Sequence, residues 1–288
     1  MPAAFHYHAP LQPSTAAVFA SPHSGRNYPE KLLRASVLDA ATLRSSEDAF
    51  VDDLIGAAPQ FGAALLLGGV PRAYVDYNRA ASELDAALID GLPRGTLSPR
   101  VNSGLGVIPR VVAGGRAIYR GKLSRAEADA RLDTYWHPYH ARLAEMMHDT
   151  TARFGRAILF DMHSMPHDAL LGFGPRGGAR PDVVLGDRFG ASCAAPLVDR
   201  IEGLLRAAGL RVARNAPFAG AYITQHYGRP SAGQHAVQIE IDRALYLDEL
   251  RIQPSRNYAA FRELMTGIIA DLCALGQPDA EEVPLAAE

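Results

Sequence analysis

Cysteine is almost missing from this chain: Cys193 and Cys273 are the only two in 288 residues. They form no CxxC pair and no framework, so a disulfide scaffold is excluded and a reducing, cytoplasmic setting is expected. Both are read as small buried apolar side chains. No apolar run approaches the roughly 20 residues that span a bilayer. The start, MPAAFHYHAPLQPS, lacks a basic n-region and an apolar h-region, so no signal peptide is expected. An excess of one charge is lacking too, since 29 basic against 31 acidic side chains leave a net −2. With both signs interspersed, neither a nucleic-acid track nor an anionic membrane surface is expected as partner. There is no internal repeat, no Gly-x-Ser-x-Gly elbow, no dinucleotide fingerprint and no phosphate loop. The runs GGV at 68–70 and RGGAR at 176–180 lack the flanking elements those motifs need.

What is present is an ordinary globular composition, 48% apolar and 21% charged. Residues 15–276 are read as one domain, with 1–14 and 277–288 as loose termini. Residues 16–20 (AAVFA), held between Pro13 and Pro22, predict a buried strand. Further strands are predicted at 63–67, 73–75, 157–160 (AILF), 210–213 and 236–241. Residues 46–59 place Phe50, Val51, Leu54 and Ile55 on one helical face, capped by Ser45 or Ser46. Residues 124–154 predict a helix that Pro138 kinks or breaks. A long helix within 187–210 ends at Gly209, and 258–275 form a closing helix. This alternation predicts an α/β fold with a mixed, mostly parallel sheet covered on both faces. In such sheets ligands bind just beyond the carboxyl ends of strands.

Two histidines stand at such ends: His23 after AAVFA and His163 after AILF. A neutral imidazole there is a common zinc ligand, although either one alone reads rather as a loop cap or a donor to a backbone carbonyl, and it is the pair that brings the ligand reading level. Asp161 is a carboxylate of the kind that receives the second N–H of a metal-bound imidazole. Glu47 or Asp48 could supply a third ligand from the start of the helix that follows the His23 loop, where an acid also suits the helix dipole. Strand alternation puts Gln238, Glu240 and Asp242 on one face. Glu240 could serve as a general base, or the strand could be an edge with a solvated polar face. Arg79, beside Asn78, is placed to bind a carboxylate. Arg110, Arg116 and Arg229 are further candidates. His140, in YWHPYH, reads as pocket-lining or structural, and His226 lies in a glycine-flanked loop suited to close backbone approach.

Taken in order, eight pieces carry a likeness: SPHSG (21–25), EDAFVDDL (47–54), RAYVDYNR (72–79), WHPYH (136–140), DMHS (161–164), PDVVLGDRFGASC (181–193), ITQHYGRP (223–230) and GQHAVQIEID (233–242). Together they resemble the N-formylglutamate amidohydrolases of histidine degradation, over nearly the whole chain. The resemblance implies a three-layer α/β/α sandwich, phosphorylase/hydrolase-like, akin to zinc carboxypeptidases and aspartoacylases. It implies one Zn2+ ion, or another divalent metal, on His23, Asp48 and His163, with Glu240 as catalytic base. Asn78, Arg79, His226 and Arg229 would belong to the substrate pocket, and residues 101–120 would shape it. The implied activity is zinc-dependent hydrolysis of a linear amide C–N bond, that of the small molecule N-formyl-L-glutamate. A zinc deacylase or carboxypeptidase-like hydrolase of another N-acyl amino acid or short peptide is the alternative. A non-catalytic module that binds a metal or an amino acid is a second.

Overall fold

The computed structural model describes residues 2–93, 98–173 and 180–277. Most of RGGAR (176–180) and of the stretch 277–288 therefore lies outside the described residues. In chain order the strands are β1 (Phe5–His8), β2 (Ala17–Ser21), β3 (Ala64–Gly68), β4 (Val111–Val112), β5 (Arg116–Ala117), β6 (Ala157–Met165), β7 (Val183–Gly186), β8 (Val212–Arg214), β9 (Gln234–Asp242), β10 (Leu247–Asp248) and β11 (Gln253–Pro254). Seven of them form one sheet in the order β1-β3-β2-β6-β9-β7-β8, while β4-β5 and β10-β11 are small hairpin pairs. The pairs β3-β2, β2-β6, β6-β9 and β7-β8 are parallel; β1-β3 and β9-β7 are antiparallel. The sheet is thus mixed and mostly parallel, as expected.

Helices cover both faces. They are α1 (Glu30–Ala35), α2 (Ala40–Leu43), α3 (Val51–Leu54), α4 (Pro99–Asn102), α5 (Arg125–Arg131), α6 (His137–Phe154), α7 (Ala195–Ala207), α8 (Tyr222–Tyr227) and α9 (Tyr258–Leu275). One layer packs Val51 and Leu54 of α3, Val198, Ile201 and Leu205 of α7 and the inward stripe of α9 on Phe19, Ile158, Phe160 and Ile239. The other packs α1, α5, α6 and α8 on Val18, Ala20, Leu66, Leu159 and Ala236. Two hydrophobic cores separated by a sheet make the α/β/α sandwich.

Several local expectations give way to tertiary demands. Residues 1–14 are not all loose, because Phe5–His8 adds an edge strand to β3. The helix expected over 46–59 shrinks to the four residues of α3, because Phe50 takes φ 66, which an α-helix does not allow. Residues 73–75 form a buried turn, with Tyr74 N bonded to Pro71 O, and pair with no strand. The strand at AILF continues to Met165, carrying Asp161 and His163 inside the sheet. Residues 187–194 make a turn before α7, with Arg188 and Phe189 at positive φ, and β7 is a strand that local patterning did not reveal. Ahead of Pro138 the chain widens into a π-turn over Leu132–Trp136, the adjustment that a proline lacking an N–H favours.

The connection leaving β2 leads to β3 on one side, whereas that leaving β6 leads to β7 on the other. The crevice between β2 and β6 is therefore the topological switch point, where open α/β sheets bind ligands. Among the described residues no helix is long and apolar enough to cross a membrane.

Candidate active site

The face of β6 and β9 that begins apolar, with Leu159 and Ala236, turns polar near the carboxyl ends. Asp161 pairs in register with Gln238, His163 with Glu240 and Met165 with Asp242. β9 is central, so this polar row is buried and belongs to no solvated edge. His23 sits in the bend that follows β2. Gly25 holds that bend close to its neighbour, since a Cβ there would lie 2.3 Å from Val70 O.

Asp48 meets both histidines. His163 Nδ1 is 3.0 Å and His23 Nδ1 3.5 Å from Asp48 Oδ2. The three candidate ligand atoms lie within 4.8 Å of one another. Tetrahedral ligands at zinc distances of about 2.0–2.1 Å are separated by about 3.3 Å, so the spacing fits one small dication. His23 Nδ1 is buried and lacks a hydrogen-bond partner, a cost that a cation would remove. Glu47, by contrast, is taken up by two hydrogen bonds from Arg44 and one from Tyr28. Asp48 rather than Glu47 is therefore the acid that faces the histidines. The backbone reason is that Asp48 N bonds to His23 O, ahead of α3 and not within it.

A second ring of carboxylates orients these groups. His23 Nε2 is 2.7 Å from Asp76 Oδ1, and His163 Nε2 is 3.0 Å from Asp161 Oδ1. His23 thus turns its Nε2 to the Asp76 carboxylate, His163 Nε2 lies against Asp161 and Asn78, and both Nδ1 atoms point toward Asp48. Arg243 Nη2 donates to Asp48 Oδ1 at 2.9 Å and Arg243 Nε to Ser164 Oγ at 3.0 Å. Asp76 and Arg243 escaped sequence reasoning, because an acid in an irregular loop and an arginine after a strand carry no local signal.

Burial raises the proton affinity of the Asp48 carboxylate, but the hydrogen bond from His163 and the imidazole of His23 beside it outweigh that and hold the pKa well below the usual range. Burial likewise lowers His163, yet Asp161 beside it pushes the pKa well above normal. A dication at Nδ1 would compete with that proton and reverse the direction. Glu240 is raised, first by burial, although the charge of His163 opposes the rise.

These groups form one wall of a cavity of about 560 Å³ that residues 103–115 help to close, as expected for that segment. Arg72, Arg79, Arg100 and Arg243 line it. Arg79 spends Nε on Leu105 O and Nη1 on Asn78 O, and among the described residues its Nη2 has no partner. Arg72 is anchored by Nε on Asp76 Oδ2 at 2.9 Å. Arg110, however, is tied to Asp85 and lies outside the cavity wall, as does exposed Arg116. His226 and Arg229 are also outside it: α8 turns Ile223, Thr224 and Tyr227 inward and leaves His226 exposed, stacked on Tyr222. Asn78 reaches the cavity with its amide already spoken for. Its Nδ2 faces Asp161 and His163, and its Oδ1 accepts from Ile223 N. It therefore works as a brace.

His140 is structural. It bonds Tyr77 O at 2.8 Å and Tyr227 Oη at 3.0 Å, while Trp136 Nε1 bonds Arg79 O at 2.9 Å. The aromatic segment thus clamps the loop that carries Asp76, Asn78 and Arg79. Burial depresses the His140 pKa to about 3, so between that value and about 6.5 the unfolded chain binds the extra proton. Stability from neutral His140 is complete above about pH 6.5 and is lost as pH falls through that window. His140→Gln is expected to flatten the acid limb of stability by up to about 1.4 kcal/mol per pH unit. Urea unfolding of both proteins from pH 7 to pH 4 checks this; parallel curves would refute it.

Sequence and structure comparisons agree with the geometry. A sequence model described as N-formylglutamate amidohydrolase matches residues 15–247. The N-formylglutamate deformylase of Pseudomonas aeruginosa is 31% identical over 263 residues, covering 88% of this chain and 92% of the relative. That of Pseudomonas putida is 29% identical over 235 residues, covering 81% and 82%. The crystal structure of an N-formylglutamate amidohydrolase from Ralstonia eutropha JMP134 superposes with TM-score 0.87 at 34% identity, over 94% of this chain and 98% of the other. Matched along most of its length by both sequence and backbone, the chain belongs to the N-formylglutamate amidohydrolase family.

Proposed function

We propose that this protein hydrolyses N-formyl-L-glutamate to formate and L-glutamate, with a zinc ion on His23, Asp48 and His163 and with Glu240 as general base. The supporting observation is the triangle of two imidazole Nδ1 atoms and one carboxylate oxygen at the floor of an arginine-lined cavity, in a chain of this family. Zinc bound there would polarise the formyl carbonyl and acidify water. Glu240 receives a proton from the attacking water and hands it to the departing amine. The water oxygen becomes part of formate and the C–N bond breaks. Both water protons finish on nitrogen, giving formate and the ammonium form of glutamate. Arg72, fixed on Asp76, offers its outer nitrogens to the oxygen that gains charge.

Arg79 and Arg100 hold the two substrate carboxylates. Burial first, and then the charges of Arg72 and Arg100, lower the Arg79 pKa, so three guanidinium groups share one region. The Arg100 side chain is exposed and makes no hydrogen bond or ion pair among the described residues. An anion between Arg79 and Arg100 relieves that repulsion. Arg100→Gln is expected to raise KM for N-formyl-L-glutamate tenfold or more, since a hydrogen bond to a charged group is worth about 1.5–3 kcal/mol. The slower turnover of N-formyl-L-glutamine, which lacks the side-chain carboxylate, should not change. An unaltered KM for the dicarboxylate removes Arg100 from the reading. In the same assay, faster release from formyl peptides than from N-formyl-L-glutamate would favour the carboxypeptidase-like alternative.

A further inference from the structure

The Glu240 side chain has one hydrogen-bond partner among the described residues. Gln238 Nε2 donates to Glu240 Oε1, and both side chains stand on the polar face of β9. Two residues apart on one strand, they are separated by about 6.6 Å of backbone, so each must lean along the strand to meet the other. Gln238 is 4% exposed and lines the cavity. Its Oε1 is buried without a partner. The residue paired with it on β7 is Gly186, which brings no side chain to the site.

A buried amide oxygen left unpaired costs free energy, whereas an apolar side chain of similar shape would avoid that cost. Packing alone therefore disfavours glutamine at this position. The gain must lie in what Nε2 does. Terminal torsions of Glu are broad, and an untethered carboxylate would sample many orientations over the cavity. With Oε1 held by Gln238, Oε2 is left to face the reacting water in one orientation.

We propose that Gln238 is a positioning residue that fixes the Glu240 carboxylate for proton transfer, an inference that rests on Glu240 being the base. The donated hydrogen bond keeps Oε1 occupied and Oε2 in line, and the unpaired amide oxygen is the cost of placing that donor. A structural residue loses stability and activity together when it is replaced. Gln238 should separate them.

The experiment compares Gln238→Met and Gln238→Glu with the wild type in metal-loaded form, measuring kcat, KM, metal content and thermal unfolding midpoint. For both variants kcat is expected to fall about 10- to 100-fold, the scale of a misplaced catalytic group. KM should stay within about twofold, and the metal should be retained. The Gln238→Met midpoint should stay within a few degrees of wild type, because the loss of the unpaired amide oxygen offsets the loss of the donor to Glu240. Wild-type kcat in Gln238→Met overturns the proposal. So does a kcat loss accompanied by a lower midpoint and a higher KM. Retained activity in Gln238→Glu at alkaline pH, where the added carboxyl is ionised and no longer donates, also overturns it. Glu240→Gln separates the two claims. If that variant stays active, the reading of Glu240 as base fails; if it is inactive while Gln238→Met is fully active, the positioning role alone fails.

Discussion

Glu240→Gln is expected to reduce kcat for formate release by about 10³- to 10⁴-fold, the upper part of what general acid–base catalysis contributes, with the metal still bound. The substitution keeps volume and shape and removes only the ability to take a proton. Glu240 is level with His163 on the adjacent strand and is not one of the three converging ligand atoms, so metal retention follows from the geometry. Burial already raises its proton affinity, which suits a group that must accept a proton and then release it. Rapid-quench turnover alongside elemental analysis of the same sample checks the expectation. A variant that keeps its metal and turns over within tenfold of wild type would remove Glu240 from the chemistry.

His163→Ala is expected to lose the ion and, with it, all measurable turnover. Removing even an orienting partner of a metal-bound histidine typically costs 10- to 100-fold in metal affinity or activity, so removing a ligand outright costs more. His163 is the better test position than Asp48. The carboxylate of Asp48 also accepts from Arg243, whose guanidinium charge would be left buried without its counter-ion in Asp48→Ala, a loss of about 3–5 kcal/mol that would confuse metal loss with unfolding. Metal content per chain after gel filtration, with circular dichroism to confirm folding, reads the result. A folded His163→Ala protein that binds zinc stoichiometrically contradicts the ligand assignment.

Much of this architecture was legible because a buried parallel sheet writes itself as short apolar runs. AAVFA and AILF marked β2 and the start of β6, and the closing helix expected over 258–275 is α9 at the observed boundaries. Strand ends then pointed to His23 and His163. Legibility failed where side-chain chemistry overrode pattern. β6 runs on through Asp161 and His163 because those groups find partners across the site, and no hydrophobicity rule anticipates that. The helix over 46–59 is cut short at left-handed Phe50, after Asp48 has been drawn toward the histidines. Asp76 and Arg243 were hidden for the same reason: their partners are 53 and 195 residues away. His226 looked eligible from its glycine neighbours and Arg229 from its guanidinium, yet the phase of α8 leaves His226 exposed and Arg229 lies beyond the cavity.

The most direct test is formate release from N-formyl-L-glutamate by the purified full chain, followed through chelation and zinc readdition. Activity should vanish when the metal is stripped and return in proportion to added zinc, reaching a plateau at one ion per chain. Formate release that persists undiminished in demonstrably metal-free, folded protein would contradict the account.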